Sequence, residues 1–173
     1  DGDDAKKVTS ISTGAGNPVW SPDGKWIAFG SDVYPECDSD ACNKAEDDKA
    51  ENSKVKAKVA ERLLYKHWNE WRDRKRSHVF IVPRDGGIAR DLTPGDFDSP
   101  PYAASTGVDY SFSPDSREIA FLKNLDKIEA ISTNSDIFVM PISGGEAKNI
   151  TAANRGYDAS PKYSPDGKYI LFR

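Results

Sequence analysis

One motif is written three times in this chain. Val19–Phe29 reads VWSPDGKWIAF, Phe112–Phe121 reads FSPDSREIAF, and Lys162–Phe172 reads KYSPDGKYILF. Each copy joins a turn to an apolar strand. Pro22 fixes one φ angle, Asp23 brings a side-chain acceptor, and Gly24 is free to take positive φ. Trp26, Ile27, Ala28 and Phe29 then suit a strand that packs on both faces. Repetition at this length predicts a modular β architecture, a propeller above all, in place of a single self-contained core.

A second repeated unit follows the first. His78–Pro83 leads through Gly86 and Gly87 into Ala89–Thr93, and Asp136–Pro141 leads through Gly144 and Gly145 into Ala147–Thr151. Strand, Gly-Gly turn and strand is a hairpin pattern. The two units together predict a blade of four antiparallel strands in chain order. The fold expected is therefore all-β, a partial β-propeller of four-stranded blades.

The spacing is uneven. Ser113 and Ser164 lie 51 residues apart, but Ser21 and Ser113 lie 92 apart, so the first unit carries 41 extra residues. A blade repeat of roughly 40–50 residues is usual. The excess falls between Ser31 and Arg76, where the strand pattern disappears. The expected organisation is a first blade over about 14–95 with a helical insertion at 32–76, a second blade over about 96–154, and an incomplete blade at 155–173. Lys7–Thr13 reads as the last strand of a preceding blade. Propellers close with about four to eight blades, so the chain is expected to be a piece of a larger one.

Composition excludes some classes. No run approaches the ~20 apolar residues of a membrane-crossing helix, and a net charge of −4 does not favour nucleic acid. No membrane or nucleic-acid partner is expected, and no cofactor. No G-x-S-x-G elbow occurs, and neither His67 nor His78 is marked as a partner for a nucleophilic serine. No catalytic residue is therefore assigned. Asp96–Asp98 reads as a loop between blades, with too few oxygen ligands for calcium.

The insertion is where function is sought. Cys42–Asn52 is polar and acidic and reads as an exposed loop. Ser53–Asp73 reads as a helix, with Val59, Leu63, His67, Trp68 and Trp71 on one side and Lys58, Arg62 and Arg72 on the other. That apolar face would pack on the rim of its own propeller or reach a second domain. Cys37 and Cys42 fit a small disulfide loop in an oxidising compartment. Free thiols are an alternative. A zinc set with His67 and His78 is another, with a histidine gap unlike that of zinc fingers; no metal is assigned.

These residues resemble a known family. The SPDG-K-x-I-A-F strand and the DIFVMP–GG–NIT hairpin are similar to the propeller repeat, TolB- or WD40-like, shared by TolB-type proteins and the prolyl oligopeptidase family of serine peptidases. Ser31–Cys37, Ser53–Ala57, His67–Asp73, Arg90–Gly95 and Ser132–Asp136 narrow the resemblance to the dipeptidyl peptidase V and acylaminoacyl-peptidase branch. The resemblance implies a propeller over an α/β-hydrolase domain of the same polypeptide, which would hold a Ser-Asp-His triad. The propeller would restrict access to small peptides and help to bind their N-terminal end. Contacts to substrate or to the hydrolase domain are then expected at Glu36, His67, Trp68, Trp71 and Arg72. The resemblance also implies a periplasmic or secreted protein. A TolB-like scaffold that binds a protein partner is the alternative. An incomplete propeller would also leave strand edges open to self-association.

Overall fold

In the computed structural model the described residues are 4–60, 63, 65–67, 69–71, 74–101 and 108–173. Among them the chain runs through β1 (Gly16–Trp20), β2 (Trp26–Val33), α1 (Asp40–Asn52), β3 (Lys66–His67), β4 (Glu70–Trp71), β5 (Arg76–Pro83) and β6 (Arg90–Asp91). It continues through β7 (Tyr110–Phe112), β8 (Glu118–Lys123), β9 (Asp136–Pro141), β10 (Lys148–Asn149), β11 (Lys162–Tyr163) and β12 (Ile170–Leu171). Strands β1-β2-β5-β6 form one sheet and β7-β8-β9-β10 a second, while β11 and β12 begin a third. Every pairing within these sheets is antiparallel. Two four-stranded blades in chain order are the repeat made visible.

The repeated serine and aspartate close each turn in the same way. Ser21 Oγ donates to Asp23 Oδ1 at 2.7 Å and accepts from Trp26 N–H, while Asp23 Oδ1 also accepts from Lys25 N–H. Ser113 with Asp115 and Ser164 with Asp166 repeat the pattern at 2.6 Å. Gly24 and Gly167 take φ of 68° and 71°, and Ser116 takes 60° at the corresponding place. The serine has a use there, because its Oγ accepts from Asp23 N–H of the first blade at 3.0 Å. A turn of one blade is thus tied to the turn of the next.

Those hydrogen bonds set a pH dependence. The serine hydroxyl first, and the neighbouring backbone N–H second, hold the Asp23, Asp115 and Asp166 carboxyls below their ordinary pKa. A depressed folded pKa contributes stability above the unfolded value of about 3.9, and that contribution is lost as pH falls through the folded value. Stability measured by urea unfolding is expected to hold level from pH 7 to about pH 5 and to fall below about pH 4. Changing all three aspartates to asparagine should lower neutral stability and flatten the acid limb. An unchanged acid limb would contradict this assignment.

Alternation along each strand divides its side chains between neighbours. Val79 and Ile81 of β5 join Tyr110, Phe112, Ile119, Phe121, Phe138 and Met140 in the core between the two blades. Phe80 and Val82 face the other way, onto Ile27, Phe29 and Val33, with Val8 and Ile11 packed alongside. In the second blade, Ala120, Leu122 and Ile137 turn from the first blade toward Ala159, Tyr163 and Ile170. Each blade is a slice with a core on both sides.

Lys7–Thr13 differs from its expected form. It carries no strand pairing among the described residues, and Val8 and Ile11 pack on the face of the first sheet.

Candidate functional site

Antiparallel order sends successive connections to opposite rims. The β1–β2, β5–β6, β7–β8, β9–β10 and β11–β12 connections are the tight turns of one rim. The connections at 34–75, 92–109, 124–135 and 150–161 make up the other. Long loops are where chemistry-bearing side chains gather.

The insertion, 34–75, dominates this rim, and its helix lies elsewhere than the sequence suggested. The helix is α1, Asp40–Asn52, in the segment read as a loop. Ser39 caps it through Cys42 N–H, and a disulfide joins Cys37 to Cys42 across its first turn. Asn43, buried, accepts from Tyr34 N–H at 2.8 Å, and the Tyr34 hydroxyl donates to Asp47. Charges complete the attachment. Arg74 pairs with Glu36 and Glu46, and Lys75 with Asp47 at 2.7 Å. These contacts stand in for the apolar stripe that α1 lacks.

The expected helix over Ser53–Asp73 is corrected by the described residues there. Residues 53–60 are irregular, and Lys66–His67 pairs antiparallel with Glu70–Trp71 as a small hairpin. A helical stripe is stable only where a surface covers it. Among the described residues of this stripe, Val59, Leu63 and Trp71 are exposed, Val59 by 86%.

The sequence-expected contact residues are spread over this insertion. Glu36 lies at the base of α1 and pairs with Arg74. Trp71, half exposed, stacks on Tyr65 at 6.2 Å, with the Lys58 and Lys66 amines 5.8 and 5.4 Å from its ring. His67 sits on β3, paired in register with Glu70. Trp68 and Arg72 lie outside the described residues. The structure brings Glu36 to the root of the insertion and places Trp71 on its hairpin.

Sequence reasoning missed the cluster at the root. Arg76, buried at the start of β5, is hydrogen-bonded through Nε to Asp96 at 2.9 Å and through Nη1 to Asp98 at 3.3 Å. Glu129 approaches Nη1 at 3.5 Å. One guanidinium therefore joins the insertion, the loop between blades and the β8–β9 loop. Burial works to lower the Arg76 pKa, but the Asp96 hydrogen bond and the Asp98 and Glu129 charges prevail and raise it. The signal was an arginine at a strand start facing an Asp-x-Asp loop.

Beside it, His78 Nδ1 lies 2.6 Å from Asp91 Oδ2 and Nε2 lies 2.9 Å from the Gly95 carbonyl. With both nitrogens engaged, the ring has none left to serve a hydroxyl nucleophile. The Lys123 amine lies over Phe97 at 4.4 Å and near Phe121 and Phe138. Burial lowers its pKa, with Asp91 opposing. The rim is suited to holding charged or aromatic groups by ion pairs and stacking.

No protein-family model matches the chain. It is 34% identical to dipeptidyl-peptidase 5 of Porphyromonas endodontalis over 99% of its own length and 25% of that protein's. It is 31% identical to dipeptidyl-peptidase 5 of Porphyromonas gingivalis over 89% of its length and 22% of that protein's. The chain thus spans about a quarter of the length of the curated relatives it matches. Among solved structures, TolB from Acinetobacter baumannii superposes with a TM-score of 0.50 at 16% identity, covering 95% of this chain and 28% of that one. That likeness is one of fold: antiparallel four-stranded propeller blades.

Proposed function

We propose, from the premise that this chain is homologous to a quarter of the dipeptidyl-peptidase 5 proteins, that it is the non-catalytic propeller part of a serine exopeptidase. The observation that carries the proposal is 34% identity along 99% of the chain. Covalent chemistry belongs to an α/β-hydrolase domain of the same polypeptide, where a Ser-Asp-His triad performs acyl transfer. The propeller admits small peptides of the dipeptidyl or acylaminoacyl type and holds their N-terminal end.

Support for the gating role comes from the long-loop rim. Glu36 offers a carboxylate that suits an α-amino group, and half-exposed Trp71 offers a ring to an apolar side chain or to the hydrolase domain. The Cys37–Cys42 disulfide supports a reading in which the protein works in an oxidising compartment, the periplasm or the cell exterior.

The test is peptidase kinetics on the protein as the cell makes it, with a chromogenic dipeptide substrate and the variants Glu36→Gln and Trp71→Ala. Both side chains are exposed enough for the fold to tolerate their loss. The proposal expects KM to rise about 5–30-fold, the loss of roughly 1–2 kcal/mol of binding, with kcat retained. Unchanged kinetics in both variants would remove the rim from substrate binding. Absence of any peptidase activity would favour a protein-binding propeller.

A further inference from the structure

Three side-chain oxygens on the long-loop rim have no hydrogen-bond partner among the described residues: Asn134 Oδ1, Asp136 Oδ1 and Asp158 Oδ2. Asp158 is only 1% exposed. A buried carboxylate oxygen left without a donor is costly, and each such case calls for a physical account.

The backbone turns the three side chains to one side. Ser135 is bridged in parallel to Tyr157, with Ser135 N–H donating to the Gly156 carbonyl and Asp158 N–H donating to the Ser135 carbonyl at 3.1 Å. Partners in a parallel bridge face the same way, and their neighbours along each strand face the other. Asn134 and Asp136 therefore share a side with Gly156 and Asp158. Gly156 brings no side chain to it, and the Asn154 amide lies over the space. Asn154 Nδ2 donates to Asp158 Oδ1 at 2.5 Å, and Asn149 Nδ2 donates to Asp136 Oδ2 at 3.0 Å. Each carboxylate is thus anchored through one oxygen and leaves the other without a donor. Adjacent strands lie about 4.8 Å apart, within reach of a single bridging ion.

The first blade supplies an internal comparison. In the hairpin repeat His78 stands where the second blade has Asp136, and Asp91 stands where it has Asn149. The first blade satisfies the position with its own imidazole, hydrogen-bonded to Asp91 and to the Gly95 carbonyl. The second blade has replaced that ring with an acceptor.

The geometry points to a calcium site formed by Asn134, Asp136 and Asp158, which ties the start of β9 to the segment leading into β11. Two of the three ligands are acids and the third is an amide; among the described residues no group of three or more His, Cys, Asp or Glu side chains is placed to hold a metal ion. Three protein oxygens, completed by water, suit the flexible oxygen shell of calcium better than the strict octahedron of magnesium. Affinity belongs to the weak extracellular class, about 10⁻⁴–10⁻³ M.

Thermal unfolding of the protein, first stripped with a chelator and then titrated with calcium chloride, tests the site. The expected result is a rise in Tm of about 3–5 °C at about 5 mM calcium, and a smaller rise with magnesium. Asp136→Asn should shift the half-effective calcium concentration upward by about tenfold or more. Asp158 is so deeply buried that its variants are unsuited to the comparison, so Asn134→Ala serves as the second variant, with a smaller shift in the same direction. A wild-type Tm indifferent to calcium would overturn the site. So would variants that respond like wild type, or a magnesium response equal to that of calcium.

Discussion

Replacing Arg76 with alanine is expected to remove about 3–5 kcal/mol of stability, because the buried Asp98 carboxylate loses its counter-charge. Asp98 is almost fully buried, and its Oδ1 accepts from Ser77 N–H while its Oδ2 faces the guanidinium. Exposed ion pairs contribute about 0–1 kcal/mol, so the size of the loss separates this cluster from the surface pairs such as Lys44 with Asp48. Lysine at the position keeps the charge but not the planar fork, and should recover only part of the loss. The double variant R76M/D98N removes both charges and should recover more than R76A alone. Urea unfolding measures all three. A loss below about 1 kcal/mol for R76A would mean that the cluster is hydrated and does not join the loops.

Truncating Phe121 to alanine should cost about as much, 3–5 kcal/mol, through lost transfer energy and a cavity that the blades cannot close. Phe121 is fully buried, stacks on Phe138 with centroids 6.2 Å apart, and stands in the core between the two sheets. Domains of this size have total stabilities of about 5–15 kcal/mol, so either substitution leaves little in reserve. The two should differ in kind. F121A weakens blade-to-blade packing, whereas R76A loosens the rim loops, so hydrogen exchange should rise at β5 and β8 in the first and at residues 92–99 and 124–135 in the second. Equal patterns in both would contradict the separation of core from rim.

The blades were legible because their signals are local. A turn with Asp and Gly, then a strand with two apolar faces, was repeated often enough to reveal both the pattern and the 41-residue interruption. The interruption itself was legible only as an interruption. Helical periodicity favoured Ser53–Asp73, but the described residues of that stripe, Val59, Leu63 and Trp71 among them, are left in solvent. The true helix, Asp40–Asn52, has one buried residue, Asn43, and is held by a cap, a disulfide and charges from Arg74 and Lys75. Such contacts are long-range in sequence, and no periodicity records them. The Arg76 cluster was hidden for the same reason: its members lie at the start of β5 and in two separate connections that only the propeller brings together.

The site residues show the limit of a resemblance carried through local sequence. Glu36 and Trp71 are on the long-loop rim, where topology also directs attention. His78, which sequence offers neither as a marked partner for a serine nor as a well-spaced zinc ligand, is a buried ring with both nitrogens occupied, and Asp136 stands at the same position of the second blade.

The measurement closest to the central claim compares hydrolysis of a chromogenic dipeptide by the protein as the cell makes it and by residues 1–173 alone. The account predicts product release by the first and none by the second, since it assigns the nucleophile to a hydrolase domain and to the rim only ion pairs and aromatic contacts. Release by residues 1–173 alone, at a comparable rate, would contradict it by placing the chemistry within these blades.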